Sequence, residues 1–164
     1  MRRVKLDRID RRILRDLQAN GRITNVELAR KVGISPPPCL RRVRALEQAG
    51  MISGYFALLD EKSVGFELLG FAMVGLHSQA EADLRAFENR VLAWPLVREC
   101  YMLSGETDFL LKCVAPDLTA FQDFVIDELT AAPNVASVKT TLVIRRVKFE
   151  PGVPVTLAQR RRDP

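Results

Sequence analysis

The sequence predicts an α+β chain in two parts, an N-terminal winged helix-turn-helix followed by a C-terminal ferredoxin-like βαββαβ domain. Three observations predict it. The first 50 residues hold three short apolar-striped helical patterns, each with its own start and stop. Positive charge is concentrated in the same stretch, with 13 Lys or Arg against 5 Asp or Glu in residues 1–50 and 12 against 15 in residues 51–164. The remainder reads strand, helix, strand, strand, helix, strand.

The first helix starts at Asp7 as N-cap, carries Ile9, Ile13, Leu14 and Leu17 as its stripe, and leaves through a left-handed Asn20-Gly21 exit. The second starts at Thr24, with Glu27 three residues on as the reciprocal half of a capping box, and buries Leu28, Ala29 and Val32 before Gly33. The third follows Ser35 and three prolines, puts Leu40, Val43 and Leu46 on its inner face, and stops at Gly50. Arg41, Arg42 and Arg44 then point away from that face.

A short helix, a glycine turn and a third helix with clustered arginines form the arrangement whose last helix enters the major groove N-terminus first. The three prolines fit that helix start. First-turn N–H groups have no intrahelical acceptor, so proline forfeits no bond there, and Cys39 is the first residue able to donate back to Ser35. The same prolines remove the N–H groups that otherwise cradle a phosphate and leave the Ser35 hydroxyl without its usual donors. Contacts to double-stranded DNA must come from side chains: Thr24, Asn25, Ser35, Pro37, Arg41, Arg42 and Arg44 are the candidates, with Arg41 and Arg42 foremost.

Residues 1–55 form the predicted DNA-binding domain and residues 56–66 a connector, with a strand or wing between Met51 and Phe66. The second domain is expected over residues 67–150. Its strands are 68–77, 97–105, 108–115 and 135–150, and its helices 81–94 and 117–132. Ser78 and Glu81 have capping-box spacing, and Leu118, Phe121, Val125 and Leu129 share a helical face. In the first strand Leu68, Ala72, Val74 and Leu76 face one way and Leu69, Phe71 and Met73 the other, so both sheet faces are apolar. Helices cover one; a second copy of the chain is the expected cover of the other, which makes a homodimer. Residues 151–164 lack periodicity and are expected to be a flexible tail, with Arg160–Arg162 an ordinary charged terminus.

The runs LDRIDRRILRDLQANGRITNVELARKVGISPPPCLRRVRALEQAGMISGYFALLD and ECYMLSGETDFLLKC resemble the Lrp/AsnC family of bacterial and archaeal transcription regulators. The likeness runs from Leu6 to Phe149, and the cysteine-containing third-helix motif and the S-G-x-x-D turn are its most specific parts. It implies an amino-acid effector, and dimers that assemble into tetramers or octamers. Pro37 stands where members of the leucine-responsive branch tend to have a hydroxyl residue, and Arg41 where they tend to have glutamate, so an operator sequence does not carry over.

The resemblance puts the effector between dimers, near the hairpin of the second and third strands. A free α-amino acid needs donors for its carboxylate and an acceptor for its ammonium. Gly105 lets backbone N–H groups approach a carboxylate, Ser104 adds a hydroxyl, and Asp108 or Glu106 supplies the acceptor. Tyr101, Leu103, Thr140 and Leu142 are the matching positions for a side-chain pocket.

Other chemistry is thinly supported. A lone His77 forms neither a triad nor a multi-histidine metal site, and Cys39, Cys100 and Cys113 lack metal-ligand spacing, so no catalytic group, metal or cofactor is expected. Enzymes related to siroheme decarboxylases share the architecture, but a single histidine and a basic third helix argue against that activity. RNA binding on the sheet would require exposed aromatic pairs, which the strands lack. No apolar run approaches the ~18 residues that span a bilayer, so a cytoplasmic location is expected.

Overall fold

The computed structural model of the chain describes residues 6–156. Residues 157–164, including Arg160–Arg162 of the expected tail, lie outside the described residues. The chain divides into two compact units, one built from the chain up to Leu58 together with the stretch from Lys148 onward, the other from Leu59–Val147.

The first unit holds α1 (Arg8–Ala19), α2 (Asn25–Val32) and α3 (Pro36–Gln48). The expected capping box of Thr24 with Glu27 forms, and the expected N-cap Asp7 forms a box as well, with Asp10. α1 does not leave through a left-handed turn. Asn20 is extended at φ −149°, and Gly21 serves a close approach instead, since a Cβ there would sit 3.3 Å from the Tyr55 ring. Ile13, Leu28, Ala29, Val32, Cys39 and Leu46 form the core, flanked by Ile9, Leu17, Val43 and Ile52.

The inner face of α3 differs from the expectation by one residue. Cys39, fully buried, takes the position assigned to Leu40, which is 39% exposed. Residues 39, 43 and 46 are spaced i, i+4, i+7 and residues 40, 43 and 46 i, i+3, i+6, both compatible with one helical face, and the small thiol is the one in the core. Beyond α3, the expected strand or wing over 51–66 forms no strand; a single 3-10 turn, Lys62–Val64, interrupts it. The described part of the C-terminal stretch is held to α1, with Gln18 donating to the Val153 carbonyl at 2.7 Å and accepting from its N–H at 3.1 Å.

The second unit follows the expected order: β1 (Leu68–Leu76), α4 (Glu81–Val91), β2 (Val97–Met102), β3 (Phe109–Ala115), α5 (Leu118–Asp123) and β4 (Val135–Leu142). The sheet is antiparallel in the order β2-β3-β1-β4, the ferredoxin-like arrangement with both helices on one side. β2 and β4 stop short of the expected residues 105 and 150. α5 departs further, continuing as a π-helix over Phe124–Thr130. A π-helix turns once in more than four residues, so Phe124 and Leu129, five apart, both face inward, while Leu118 is 48% exposed.

Even-numbered β1 residues Ala72, Val74 and Leu76 are buried beneath the helices with Phe87, Val91, Trp94, Phe121 and Phe124. Each such side chain contributes roughly 1.5–3 kcal/mol of transfer free energy. Odd-numbered Leu69, Phe71 and Met73 are only half-buried on the other, open face.

Candidate functional site

Spacing along α3 decides which side chains face outward. Pro37, Leu40, Arg41 and Arg44 are all exposed, and their separations of three and four residues put them on one face. Neither Arg41 nor Arg44 enters an ion pair among the described residues, so the face carries two uncommitted guanidinium groups around an apolar side chain. Leu40 is the residue that sequence reasoning missed. Its helical phase fits either face, and only the burial of Cys39 shows which it occupies.

Arg42 lies elsewhere. Its Nη1 donates to Asp7 Oδ2 and to Asp10 Oδ1, both at 2.7 Å. The two acids belong to the capping box of α1, so the arginine closes α3 onto the start of α1. The Asp10 N–H, with help from this guanidinium, holds the Asp7 carboxyl below the usual carboxylate range.

The N-terminal rim of α3 follows from its prolines. Ser35 makes no side-chain cap bond, as the missing N–H groups of Pro36–Pro38 require, and the Cys39 N–H returns to the Ser35 carbonyl at 3.2 Å. Asn25 Nδ2 donates to the Pro36 carbonyl at 2.8 Å, pinning α2 to α3. Its Oδ1 is buried without a partner, and the facing proline turn has no N–H to offer. Thr24 is committed to Glu27, accepting from its N–H at 3.2 Å and donating to its carboxylate at 2.9 Å. The Thr24 hydroxyl, with the Thr24 N–H second, holds the Glu27 carboxyl below its ordinary value.

In the second unit, Leu103, Ser104, Gly105, Glu106 and Asp108 form one loop between β2 and β3. Ser104, Gly105 and Glu106 are exposed. Gly105 sits at φ +147°, so any side chain there would strain the turn. Asp108 is the loop's best-anchored residue. Its Oδ2 accepts from the Leu76 N–H and its Oδ1 from Gln79 Nε2, both at 2.7 Å. Its own N–H donates to the Val74 carbonyl at 3.0 Å, and its carbonyl accepts from Leu103 at 2.8 Å.

The remaining expected effector residues do not converge on this loop within one chain. Tyr101 pairs with Leu110, which pairs with Met73, so its side chain is on the open face. There it donates to Glu99, whose other oxygen accepts from Lys112 Nζ at 2.5 Å. Thr140 and Leu142 pair with Ala72 and Gly70, so they point to the helix-covered side, on the opposite edge strand. Three strand intervals of ~4.8 Å separate the two edges. Leu142 lines instead a shallow groove with Val143, Ile144, Arg145 and Val147.

Among the described residues no group of three or more His, Cys, Asp or Glu could hold a metal ion, and no helix is long and apolar enough to cross a membrane.

Comparison with known proteins assigns both units. Residues 69–153 match the model of the Lrp/AsnC ligand binding domain, and residues 6–53 match winged helix-turn-helix DNA-binding. The leucine-responsive regulatory protein of Rhizobium meliloti (strain 1021) is 63% identical over 146 residues, covering 89% of this chain and 94% of that protein. The protein of the same name from Escherichia coli (strain K12) is 43% identical over 143 residues, 87% of each. Among solved structures, a transcriptional regulator of Neisseria meningitidis in complex with L-Met is 41% identical with a TM-score of 0.88, covering 92% of this chain and 97% of that one.

Proposed function

The chain belongs to the Lrp/AsnC family of transcription regulators, and from that premise we propose that it reads duplex DNA with the outer face of α3 and responds to a free amino acid at the 103–108 loop. The observation that carries the DNA reading is the single exposed face of Pro37, Leu40, Arg41 and Arg44. Arg41 and Arg44 reach guanine edges or phosphates, and Leu40 packs against a thymine methyl. Ser35, with its hydroxyl free of capping duty, meets a backbone phosphate at the helix start. Thr24 and Asn25 flank that start, and Arg42 supports the face without touching DNA.

The effector reading rests on the loop's chemistry and on the L-Met held by the Neisseria relative. Loop donors take the carboxylate and a loop acid takes the ammonium. Tyr101 and Leu103 from one chain, with Thr140 and Leu142 from another, complete the side-chain pocket, because one chain carries the two sets on opposite faces and edges. The open face of Leu69, Phe71 and Met73 is the surface on which two copies meet. An amino acid that binds one assembly state more tightly then shifts the dimer–oligomer equilibrium and, by linkage, DNA occupancy.

One experiment tests these together. Fluorescence anisotropy on duplex DNA from upstream of the chain's own gene, against a scrambled duplex at two salt concentrations, is repeated with each of the twenty amino acids at millimolar concentration, L-methionine first, while light scattering follows mass. Preference for the native duplex that survives high salt supports the regulator; equal, salt-sensitive binding to both overturns sequence reading. A monomer at micromolar concentration overturns the dimer, and mass and affinity indifferent to every amino acid overturn the effector.

A further inference from the structure

Asp108 is one of the two acids expected to take the ammonium, yet both of its carboxylate oxygens are taken, by Leu76 at the end of β1 and by Gln79 just after it. This stretch is held from its other side as well. Asn134, at φ +68°, accepts from the Ser78 N–H at 2.9 Å, donates to the Ser78 carbonyl at 2.8 Å, and takes the His77 N–H on its own carbonyl at 2.9 Å. Residues 76–79 are thus fixed between Asn134 at the start of β4 and Asp108 at the start of β3. Ser78, released from the expected capping box, donates to Asp83 in the first turn of α4, whose N-cap is Ala80.

Gln79 is an exposed member of this clamp, and the one whose side chain bonds Asp108. Its Nε2 donates to the carboxylate at the end of the 103–108 loop. A carboxylate that accepts two bonds at 2.7 Å is turned toward its donors and fixed in rotamer, and Asp108 also fixes Leu103 and Val74 through its backbone. Within Ser104–Asp108, Glu106 is the acid that is exposed and outside any ion pair among the described residues.

We propose that Gln79 is a positioning residue for the effector loop: by holding the Asp108 carboxylate it fixes the shape of residues 103–108, and Glu106, not Asp108, meets the effector's ammonium. The inference rests on the amino-acid reading of that loop for its functional consequence and on the hydrogen bonds alone for its structural one.

The test therefore has two readouts on the full-length protein. Hydrogen exchange without any added amino acid follows the amides of Leu103 and Asp108 in the parent, Gln79→Glu and Gln79→Lys. Gln79→Glu removes the donor at nearly equal size and sets two carboxylates together, while Gln79→Lys restores a donor. Exchange at residues 103–108 rises about fivefold in Gln79→Glu and returns toward the parent in Gln79→Lys, with amides of the buried β1 centre unchanged. Unchanged loop exchange in Gln79→Glu overturns the positioning role, and so does a loss that Gln79→Lys fails to rescue.

Titration with L-methionine then reads the consequence. Glu106→Gln weakens binding about tenfold with parental loop exchange, whereas Gln79→Glu weakens binding and loosens the loop together. Full affinity in Glu106→Gln overturns the ammonium assignment. If the parent binds none of the twenty amino acids while Gln79→Glu still loosens the loop, the effector reading and its ammonium partner fail and the positioning of the loop stands.

Discussion

Arg42 Nη1 lies 2.7 Å from Asp10 Oδ1, so a guanidinium from α3 is bound into the capping box that starts α1. Side chains on both sides of the contact remain partly in solvent, which limits its worth to about 1 kcal/mol. Arg42→Ala is expected to lower the unfolding midpoint measurably and leave the salt dependence of DNA binding at its parental slope. Arg41→Ala and Arg44→Ala are expected to do the reverse, each removing about one unit from the slope of log affinity against log salt at unchanged stability. A reduced slope in Arg42→Ala shows that the arginine leaves the acids to meet DNA.

The proline run sets a second expectation. Pro38→Ala returns an N–H to the position where a Ser35 hydroxyl accepts its capping bond, a gain of ~1 kcal/mol, and loosens the unfolded chain, a loss of ~0.4–1 kcal/mol. The two nearly cancel, so the denaturation midpoint should move little. DNA affinity should change, because the Ser35 hydroxyl then serves the helix and no longer a phosphate. A large loss of stability with unchanged affinity contradicts this account.

These residues show where the sequence was legible. The N-cap at Asp7 and the capping box at Thr24 are local, set by side chains within one turn, and both form as read, Asp7 gaining a reciprocal partner in Asp10. The box at Ser78 does not, because Asn134 and Asp83, 56 and 5 residues away, compete for the same groups. Helical phase alone could not choose between Cys39 and Leu40 for the core, and the α-helical stripe through Val125 concealed a π-helix that brings Phe124 inward beside the expected Leu129 and leaves Leu118 exposed. The effector candidates were legible as residue types around one loop. Their division between two sheet faces depends on strand order and register, which no stretch of the sequence encodes by itself.

Lys112, with Tyr101 second, draws the Glu99 carboxyl below its ordinary value of 4.5 on the open face of the sheet. A depressed folded-state pKa contributes stability that is present above the unfolded value and lost as pH falls through the folded one. Between about pH 5 and about pH 3 the parent's melting temperature should therefore fall more steeply than that of Glu99→Gln, with a partly exposed pair limiting the difference to about 0.5 kcal/mol. Parallel curves show that the pair adds nothing.

The thiols should separate by exposure. Burial pushes Cys113 up to about 12 and also raises Cys39, while Cys100 is exposed on β2 but likewise raised, first by partial burial and then by Glu88. Iodoacetamide at about pH 8 should modify Cys100 alone and slowly, since the thiolate is the reacting form. Mass spectrometry showing native-state labelling at Cys113 means that the sheet opens.

Trp94, the chain's single tryptophan, tests the π-helix directly. Its indole N–H donates to Glu128 Oε2 at 2.7 Å, and its ring packs edge-on to Phe124 at 5.4 Å, both from the π-helical segment, and edge-on to Phe87 of α4 at 6.0 Å. Four residues separate Phe124 from Glu128. In a helix that turns once in more than four residues they stay close to one stripe, so both reach Trp94, and Leu129 beside Glu128 stays fully buried. Glu128→Ala leaves the indole N–H without its acceptor and costs about 1–3 kcal/mol, the range for losing a bond to a charged group at a half-buried site. Unfolding followed by tryptophan emission should show that loss as a lower midpoint at unchanged cooperativity, and Glu128→Gln should recover most of it. A midpoint equal to the parent's in Glu128→Ala means that the indole finds another acceptor and that the π-helical segment is held by Phe124 and Leu129 alone.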